Sequence, residues 1–142
     1  MANLEEMARR WFDAFNKKDI TALMALYADN AVNAQPHLPA PITGKAPIEE
    51  DFSGFMTAFP DGRMTIDVIV VSGNNVAMEW SFEGTQTGPL AGPAGAIPPS
   101  GRRVTVKGAE FTTHDAQGLI VNERGYFDLV SFMTQLGVMP PA

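Results

Sequence analysis

The chain has no cysteine among its 142 residues. This excludes disulfide bonds, thiol nucleophiles and metal sites built on cysteine. Histidine is also scarce, since His37 and His114 are the only two and stand far apart in the sequence. That spacing is not that of metal ligands, so we expect no metal. The chain further lacks a Ser-His-Asp signature and a glycine-rich phosphate loop leading into a helix.

Basic residues are few, with ten Lys and Arg against sixteen Asp and Glu, and a net charge of −6. They form no basic run, so neither nucleic acid nor an anionic membrane surface is an expected partner. No apolar stretch approaches the length of a membrane span. The N-terminus is acidic and has no apolar core of a signal peptide, so we expect a cytoplasmic protein.

What is present is typical of a globular chain, with 45% hydrophobic and 18% charged residues. A chain of this length is expected to form one domain, residues 1–142, with a substantial core. Three helices are predicted in the first half, over residues 3–17, after Asp19 and from Pro47. A weak strand is predicted over residues 31–35. Trp11, Phe15 and Phe55 lie on the apolar helix faces, as core residues or as the lining of a cavity.

Two strands with clear alternation follow, over residues 64–71 and 76–83. In the first, Ile66, Val68 and Val70 are expected on one face of the sheet. In the second, Trp80 shares a face with Val76, Met78 and Phe82. Residues 84–101 are so rich in glycine and proline that we expect no packed element there, but a lid or binding loop.

The last third predicts a hairpin, with strands Arg103–His114 and Leu119–Phe127, followed by a helix over residues 129–136 that Gly137 ends. If Gly118 takes a left-handed conformation, His114 pairs with Ile120 and Glu110 with Arg124. One face of the hairpin then carries five polar residues: Glu110, His114, Arg124, Tyr126 and Asp128. A two-residue loop would instead place Glu110 and His114 on the face opposite Asp128.

Four segments together resemble the SnoaL-like polyketide cyclases, a family of the NTF2-like, ketosteroid-isomerase-like fold. They are WFDAFNKKDITAL, AFPDGRMTIDVIVVSGNNVAMEW, GTQTGPLAG with PPSGRRV, and GLIVNERGYFDLVSFMTQLG. The resemblance implies an α+β fold, in which a curved antiparallel sheet packs on N-terminal helices around an apolar cavity. It also implies a homodimer or homotetramer, a polyketide-like apolar substrate, and ring closure by intramolecular aldol chemistry without metal or cofactor.

By position in that family, Asp128 corresponds to the general acid/base and His114 to the histidine that assists it. A carboxyl group buried in an apolar cavity suits this role because burial raises its pKa. Asp128 has a structural alternative, since it directly precedes a helix and aspartate is a favoured N-cap. The expected substrate-binding residues are aromatic or polar: Trp11, Phe15, Asn33, Phe55, Trp80 and Tyr126.

Three alternatives stay open at this point. The chain could be a non-catalytic protein that binds a small apolar ligand in its pocket, or a relative of the ketosteroid isomerases. An epoxide-hydrolase-like triad would need a second acid beside Arg124, and Glu110 is the only candidate. Glu110 and Arg124 also form a plausible structural ion pair within the sheet.

Overall fold

The computed structural model describes residues 2–92 and 94–138. Four helices and eight strands follow one another in these residues: α1 (Leu4–Asn16), α2 (Ile20–Met24), β1 (Tyr27–Ala34), β2 (Ile42–Thr43), α3 (Lys45–Ala58), β3 (Arg63–Ser72), β4 (Asn75–Thr85), β5 (Leu90–Gly92), β6 (Gly95–Ile97), β7 (Arg103–His114), β8 (Ile120–Phe127) and α4 (Leu129–Gln135).

Side chains cap the starts of α1 and α2, and α1 buries the face that the sequence predicts. Asn3 accepts a hydrogen bond from the Glu6 amide at the start of α1, and Asp19 does the same for Ala22 at α2. The buried face of α1 carries Trp11 and Phe15. These helices cover one face of the sheet, so their aromatic side chains meet the inward-facing side chains of the strands.

Six strands form the main sheet in the order β2-β1-β8-β7-β4-β3. All neighbours are antiparallel except β1 and β8, which run parallel. The predicted α+β class, with helices on one face of a largely antiparallel sheet, is confirmed. The parallel pair brings β1, which the sequence signals only weakly, beside the last strand. That neighbour relation places Asn33 next to Glu123.

A bulge in β3 overturns the predicted alternation of that strand. Ile66 pairs with Trp80 and Val68 with Glu79, so Asp67 is an extra residue without a partner. Because one inserted residue reverses the faces, Val68 and Val70 turn outward rather than joining Ile66. Val68 and Val70 are accordingly 46% and 56% exposed.

The prediction that the glycine- and proline-rich residues 84–101 contain no packed element is wrong. In the structure, β5 and β6 pair within this segment as a small hairpin. Gln86 anchors this segment from a fully buried position. Its side-chain amide nitrogen lies within 3.1–3.3 Å of the carbonyl oxygens of Gly88, Ile97 and Pro98. Its side-chain oxygen accepts from the Ser100 amide. Hydrogen bonds to one buried amide thus add to the burial of Leu90 and Ile97 in holding this short hairpin.

Candidate functional site

The β7–β8 hairpin turns as predicted but then changes register. Gly118 has a φ of +85°, its amide donates to the Asp115 carbonyl, and His114 pairs with Ile120. Beyond that pair the register shifts by one residue, and Thr113 pairs with Asn122. Val121 is therefore an extra residue in β8, and it reverses the faces of the rest of the strand.

The expected single polar face is wrong for this reason. Glu110 pairs with Gly125 instead of Arg124, so no Glu110–Arg124 ion pair forms. Arg124 lies exposed on the outer face of the sheet, where it donates to Asn122 at 2.8 Å. Tyr126 is 55% exposed on the same outer face and packs against Phe111. Tyr126 is therefore not placed to bind a substrate inside the fold.

Contrary to the expectation from the sequence, the Asp128 side chain does not face the cavity. Its side chain is exposed and accepts a hydrogen bond from the Ser131 amide at 2.9 Å, as the N-cap of α4. It does not belong to the lining of the cavities described below. The structural alternative weighed from the sequence is the one that the geometry shows.

His114 does lie inside, 3% exposed, but both of its ring nitrogens are already engaged. Nδ1 lies 2.9 Å from the Gly118 carbonyl oxygen, which can only accept, so Nδ1 carries the proton. Nε2 lies 2.8 Å from the Thr112 hydroxyl, which donates to it when the ring is neutral. His114 therefore fixes the hairpin turn at one end of the cavity.

Three adjoining cavities lie between the helices and the inner face of the sheet. The inner cavity, with an empty volume of about 410 Å³, ends at His114 and Glu123. The middle cavity, about 640 Å³, is bounded by α3 on one side and the sheet on the other. The outer cavity, about 310 Å³, reaches the β5–β6 hairpin. Four residues line both the inner and the middle cavity: Trp11, Met64, Trp80 and Glu110.

Two glutamates from neighbouring strands form the polar centre of these cavities. Glu123 is 2% exposed, and Glu110 lies near it on the neighbouring strand β7, close enough for the two carboxyl groups to affect each other's pKa. The Tyr27 hydroxyl donates to Glu123 Oε1 at 2.7 Å, and Trp11 Nε1 donates to Tyr27 at 2.8 Å. Two buried carboxyl groups near each other are most stable when one of them holds a proton, so such a pair can serve as an acid and as a base.

Burial raises the pKa of both carboxyls. The pKa of Glu123 rises from 4.5 to about 7, chiefly because burial disfavours its charge, whereas the Tyr27 hydroxyl opposes the rise. The pKa of Glu110 is raised well above 4.5 by burial and by the neighbouring Glu123 charge, against the effect of the Gln35 amide. The pKa of Tyr27 is likewise raised well above 10, mainly by burial, so Tyr27 remains a hydrogen-bond donor.

Gln35, which follows β1, also holds Glu110 at the cavity wall. Gln35 Nε2 lies 3.2 and 3.3 Å from the two Glu110 carboxyl oxygens, and 2.9 Å from Asn33 Oδ1. Gly125, which pairs with Glu110, makes this arrangement possible, because a Cβ there would overlap the side chains of Gln35 and Glu110. Asn33 is fully buried and accepts a hydrogen bond from Gln35, but it does not line any of the described cavities.

A second polar pair faces the middle cavity from the helix side. His37 Nε2 lies 3.0 Å from Asp51 Oδ1, joining the proline-rich segment after β1 to α3. Both side chains line the middle cavity, whose opposite wall carries Glu110. The middle cavity therefore places titratable groups on two facing walls.

Four of the aromatic candidates line a cavity. Trp11, Phe15, Phe55 and Trp80 all line the middle cavity. The rings of Trp11 and Phe15 are stacked, with centroids 5.4 Å apart and an interplanar angle of 6°. Such rings supply flat apolar walls for a ring-containing ligand. Among the residues that line the three cavities there is no lysine or arginine, so an anionic ligand finds no cation there.

Sequence reasoning did not identify Glu123, Gln35, Tyr27 or the His37–Asp51 pair. The alternation of β8 was the signal for Glu123, since it shares a face with Gly125 and Phe127 once Val121 is counted as a bulge. Within the described residues, no group of three or more His, Asp or Glu residues is arranged to hold a metal ion. No helix in the described part is long and apolar enough to cross a membrane.

The model of the family described as SnoaL-like polyketide cyclase matches residues 5–136. The chain belongs to this family. The match runs from α1 to the end of α4 and includes both glutamates of the cavity. Membership implies a small-molecule substrate. No curated protein is significantly similar to the chain in sequence.

Solved structures support the same fold. Wild-type IdmH from Streptomyces antibioticus, a proposed polyketide cyclase, is 26% identical, with a TM-score of 0.78 over 96% of this chain and 100% of that one. A proposed SnoaL-like polyketide cyclase from Jannaschia sp. CCS1 is 24% identical, with a TM-score of 0.83 over 96% and 93%. SalBIII, an epoxide hydrolase/cyclase-like enzyme of pyran ring formation in salinomycin, is 19% identical, with a TM-score of 0.74 over 90% and 92%.

Proposed function

We propose that this SnoaL-like protein is an enzyme that moves protons on a small, apolar, polyketide-like ketone, and that the Glu110–Glu123 pair is its acid and base. The observation that supports this proposal most is the pair of neighbouring carboxyl groups with raised pKa values, which lines the inner cavity and, at Glu110, also the middle one. A carboxyl pKa near 7 suits both removal and return of a proton at neutral pH.

The chemistry balances within the pair. With one proton on the pair, that proton moves to Glu123 and Glu110 becomes the free carboxylate. Glu110 then removes a proton from the carbon beside a substrate carbonyl, and the C–H electrons form the enolate. The enolate carbon attacks a second carbonyl of the same molecule, which closes a ring and leaves an alkoxide. Glu110 returns its proton to the alkoxide, and the pair again holds one proton.

The surroundings favour a ketone over an epoxide. The middle cavity has aromatic walls, and the few polar groups among them include Glu110. An epoxide-hydrolase-like triad would need an arginine beside its acids, and Arg124 lies on the outer face of the sheet. The His37–Asp51 pair faces Glu110 across the middle cavity and can hydrogen-bond a distant substrate oxygen.

Deuterium exchange tests the proton transfer without knowledge of the natural substrate. 2-Tetralone, an apolar bicyclic ketone, is incubated in D₂O, and proton NMR follows the loss of hydrogen beside its carbonyl. We expect the protein to accelerate exchange, and Glu110→Gln to lower the enzymatic rate by about 100-fold or more, the usual contribution of a positioned base. The matched variant Glu50→Gln, at an exposed position of α3, should exchange like the wild type.

Asp128→Asn separates this assignment from the one drawn from the family position. If Asp128→Asn abolishes exchange while Glu110→Gln retains it, the acid and base are not the glutamate pair. If the wild-type protein does not accelerate exchange of 2-tetralone, the alternative of a non-catalytic pocket protein is favoured.

We also propose that the homo-oligomer implied by the family forms through the outer face of the sheet. This face exposes Val68, Val70, Phe111 and Tyr126, four large side chains that each have at least 40% of their surface accessible. Apolar side chains grouped on one face often mark an interface. Light scattering of the wild type and of Val70→Glu tests this, since the charge should lower the mass to that of a monomer. An unchanged mass would place any interface elsewhere.

A further inference from the structure

The indole N–H of Trp80 has no partner although it is buried. Trp80 lies in β4, is 7% exposed, and its Nε1 finds no acceptor within the described part of the chain. The other tryptophan differs, because Trp11 Nε1 donates to the Tyr27 hydroxyl at 2.8 Å. Buried donors are nearly always hydrogen-bonded, so a donor that lacks a protein acceptor suggests that another molecule supplies one.

The Trp80 ring lies beside the proposed acid and base. It lines both the inner and the middle cavity, as Glu110 does. Its strand partner is Gly108, where a Cβ would overlap the indole ring, so the ring lies directly against β7. Gly108 and Glu110 are two residues apart on β7 and therefore share the inner face. The indole and the carboxyl group thus occupy adjacent positions on one wall.

We propose that Trp80 Nε1–H donates a hydrogen bond to a ligand oxygen, and that this oxygen is the substrate carbonyl that becomes the enolate. The inference rests on the proposed function. As Glu110 takes the proton from the adjacent carbon, the C–H electron pair forms the carbon–carbon double bond. The carbonyl π electrons move to oxygen, where the indole N–H meets the developing negative charge. The ligand class is then an apolar ring ketone, with its carbonyl at Trp80 and the neighbouring carbon at Glu110.

The test compares two probes of similar shape in the wild type and in Trp80→Phe. 2-Naphthol carries an oxygen that mimics an enolate, and 2-methylnaphthalene carries a methyl group in its place. We expect 2-naphthol to bind Trp80→Phe about 3- to 10-fold more weakly than the wild type, the effect of one hydrogen bond. 2-Methylnaphthalene should bind both proteins equally. A 2-naphthol affinity unchanged by Trp80→Phe, or no binding of 2-naphthol to the wild type, would overturn the inference.

A second measurement needs no variant. The chain has two tryptophans, so a ¹⁵N–¹H spectrum shows two indole N–H signals. 2-Naphthol should move the Trp80 proton signal downfield, as a new hydrogen bond does, and 2-methylnaphthalene should not. An equal response to both probes would show a ring contact without a hydrogen bond, and would refute the inference.

The exchange assay separates the two proposals. If Glu110→Gln abolishes exchange of 2-tetralone while Trp80→Phe leaves 2-naphthol affinity unchanged, only the role of Trp80 fails. If both probe results hold but the wild type does not accelerate exchange, the enzyme proposal fails and the oxygen contact at Trp80 stands.

Discussion

Replacing Glu123 by Gln should make the protein more stable at alkaline pH and reduce the dependence of its stability on pH. Gln keeps the shape of the side chain, can still accept from Tyr27, and can donate to Glu110. It cannot ionise, so the cost of burying a charge disappears. Because Glu123 is 2% exposed, solvent does little to screen that cost.

The size of the effect follows from the raised pKa. A carboxyl whose pKa is 4.5 when unfolded and about 7 when folded binds more protons in the native state between these values. Stability is therefore highest below about pH 4.5 with respect to this group, and falls as the pH rises through about 7. A shift of about 2.5 pKa units corresponds to about 3 kcal/mol, most of it lost between about pH 5 and about pH 8. Glu110 is shifted in the same direction.

Urea unfolding at several pH values in this window measures the effect directly. Towards the alkaline end, the wild type and the matched surface variant Glu50→Gln should lose about 3 kcal/mol more unfolding free energy than Glu123→Gln, which keeps only the contribution of Glu110. Glu123→Gln should be more stable than the wild type at about pH 8. If Glu123→Gln and the wild type show parallel pH profiles, Glu123 is not a buried carboxyl with a raised pKa.

Three further predictions concern the surroundings of the pair. Asp128→Ala should lower the unfolding free energy by about 1 kcal/mol through loss of the α4 cap, and leave exchange of 2-tetralone unchanged; lost exchange without lost stability would contradict this. Gly125→Ala should abolish exchange, because its Cβ would displace Gln35 and Glu110; wild-type exchange would show that the two side chains need no fixed position. Gln86→Ala should leave buried carbonyl groups without a hydrogen-bond donor, lower the unfolding free energy by roughly 1–3 kcal/mol for each, and speed proteolysis within residues 87–100. Unchanged proteolysis would refute the anchoring role of Gln86.

The elements of the fold were largely predictable because local patterns determine them. The cap residue Asp19, the helical spacing on α1 and the alternation of β4 all agree with the structure. Even the turn conformation at Gly118 followed from glycine's tolerance of positive φ. These signals lie within a few residues of one another, so they need no knowledge of the tertiary structure.

The site was less predictable, since it depends on single inserted residues. Val121 and Asp67 each add one residue to a strand, and neither residue type indicates a bulge in the sequence. The shift at Val121 moves Glu123 inward and Arg124 outward, and so exchanges the predicted Glu110–Arg124 pair for a pair of acids. Two ionised carboxylates side by side repel each other, so sequence reasoning does not favour this pair. Burial raises the pKa of both groups, and when one of them holds a proton the repulsion is removed.

Asp128 shows the limit of inference by position in a family. It occupies the expected place at the end of the last strand, yet its side chain serves the helix that follows. Sequence alone left catalysis and capping as alternatives, and the hydrogen bond to Ser131 distinguishes their geometry. The acid with the raised pKa lies five residues earlier, at Glu123.

The pH dependence of 2-tetralone exchange tests the glutamate pair most directly. Exchange needs one free carboxylate in the pair, so we expect the enzymatic rate to rise with pH through a midpoint near 7, the pKa of Glu123. Glu110→Gln should remove this dependence together with the activity. A midpoint near 4.5, the ordinary value for glutamate, or a profile that Glu110→Gln leaves unchanged, would contradict the assignment of acid and base to Glu110 and Glu123.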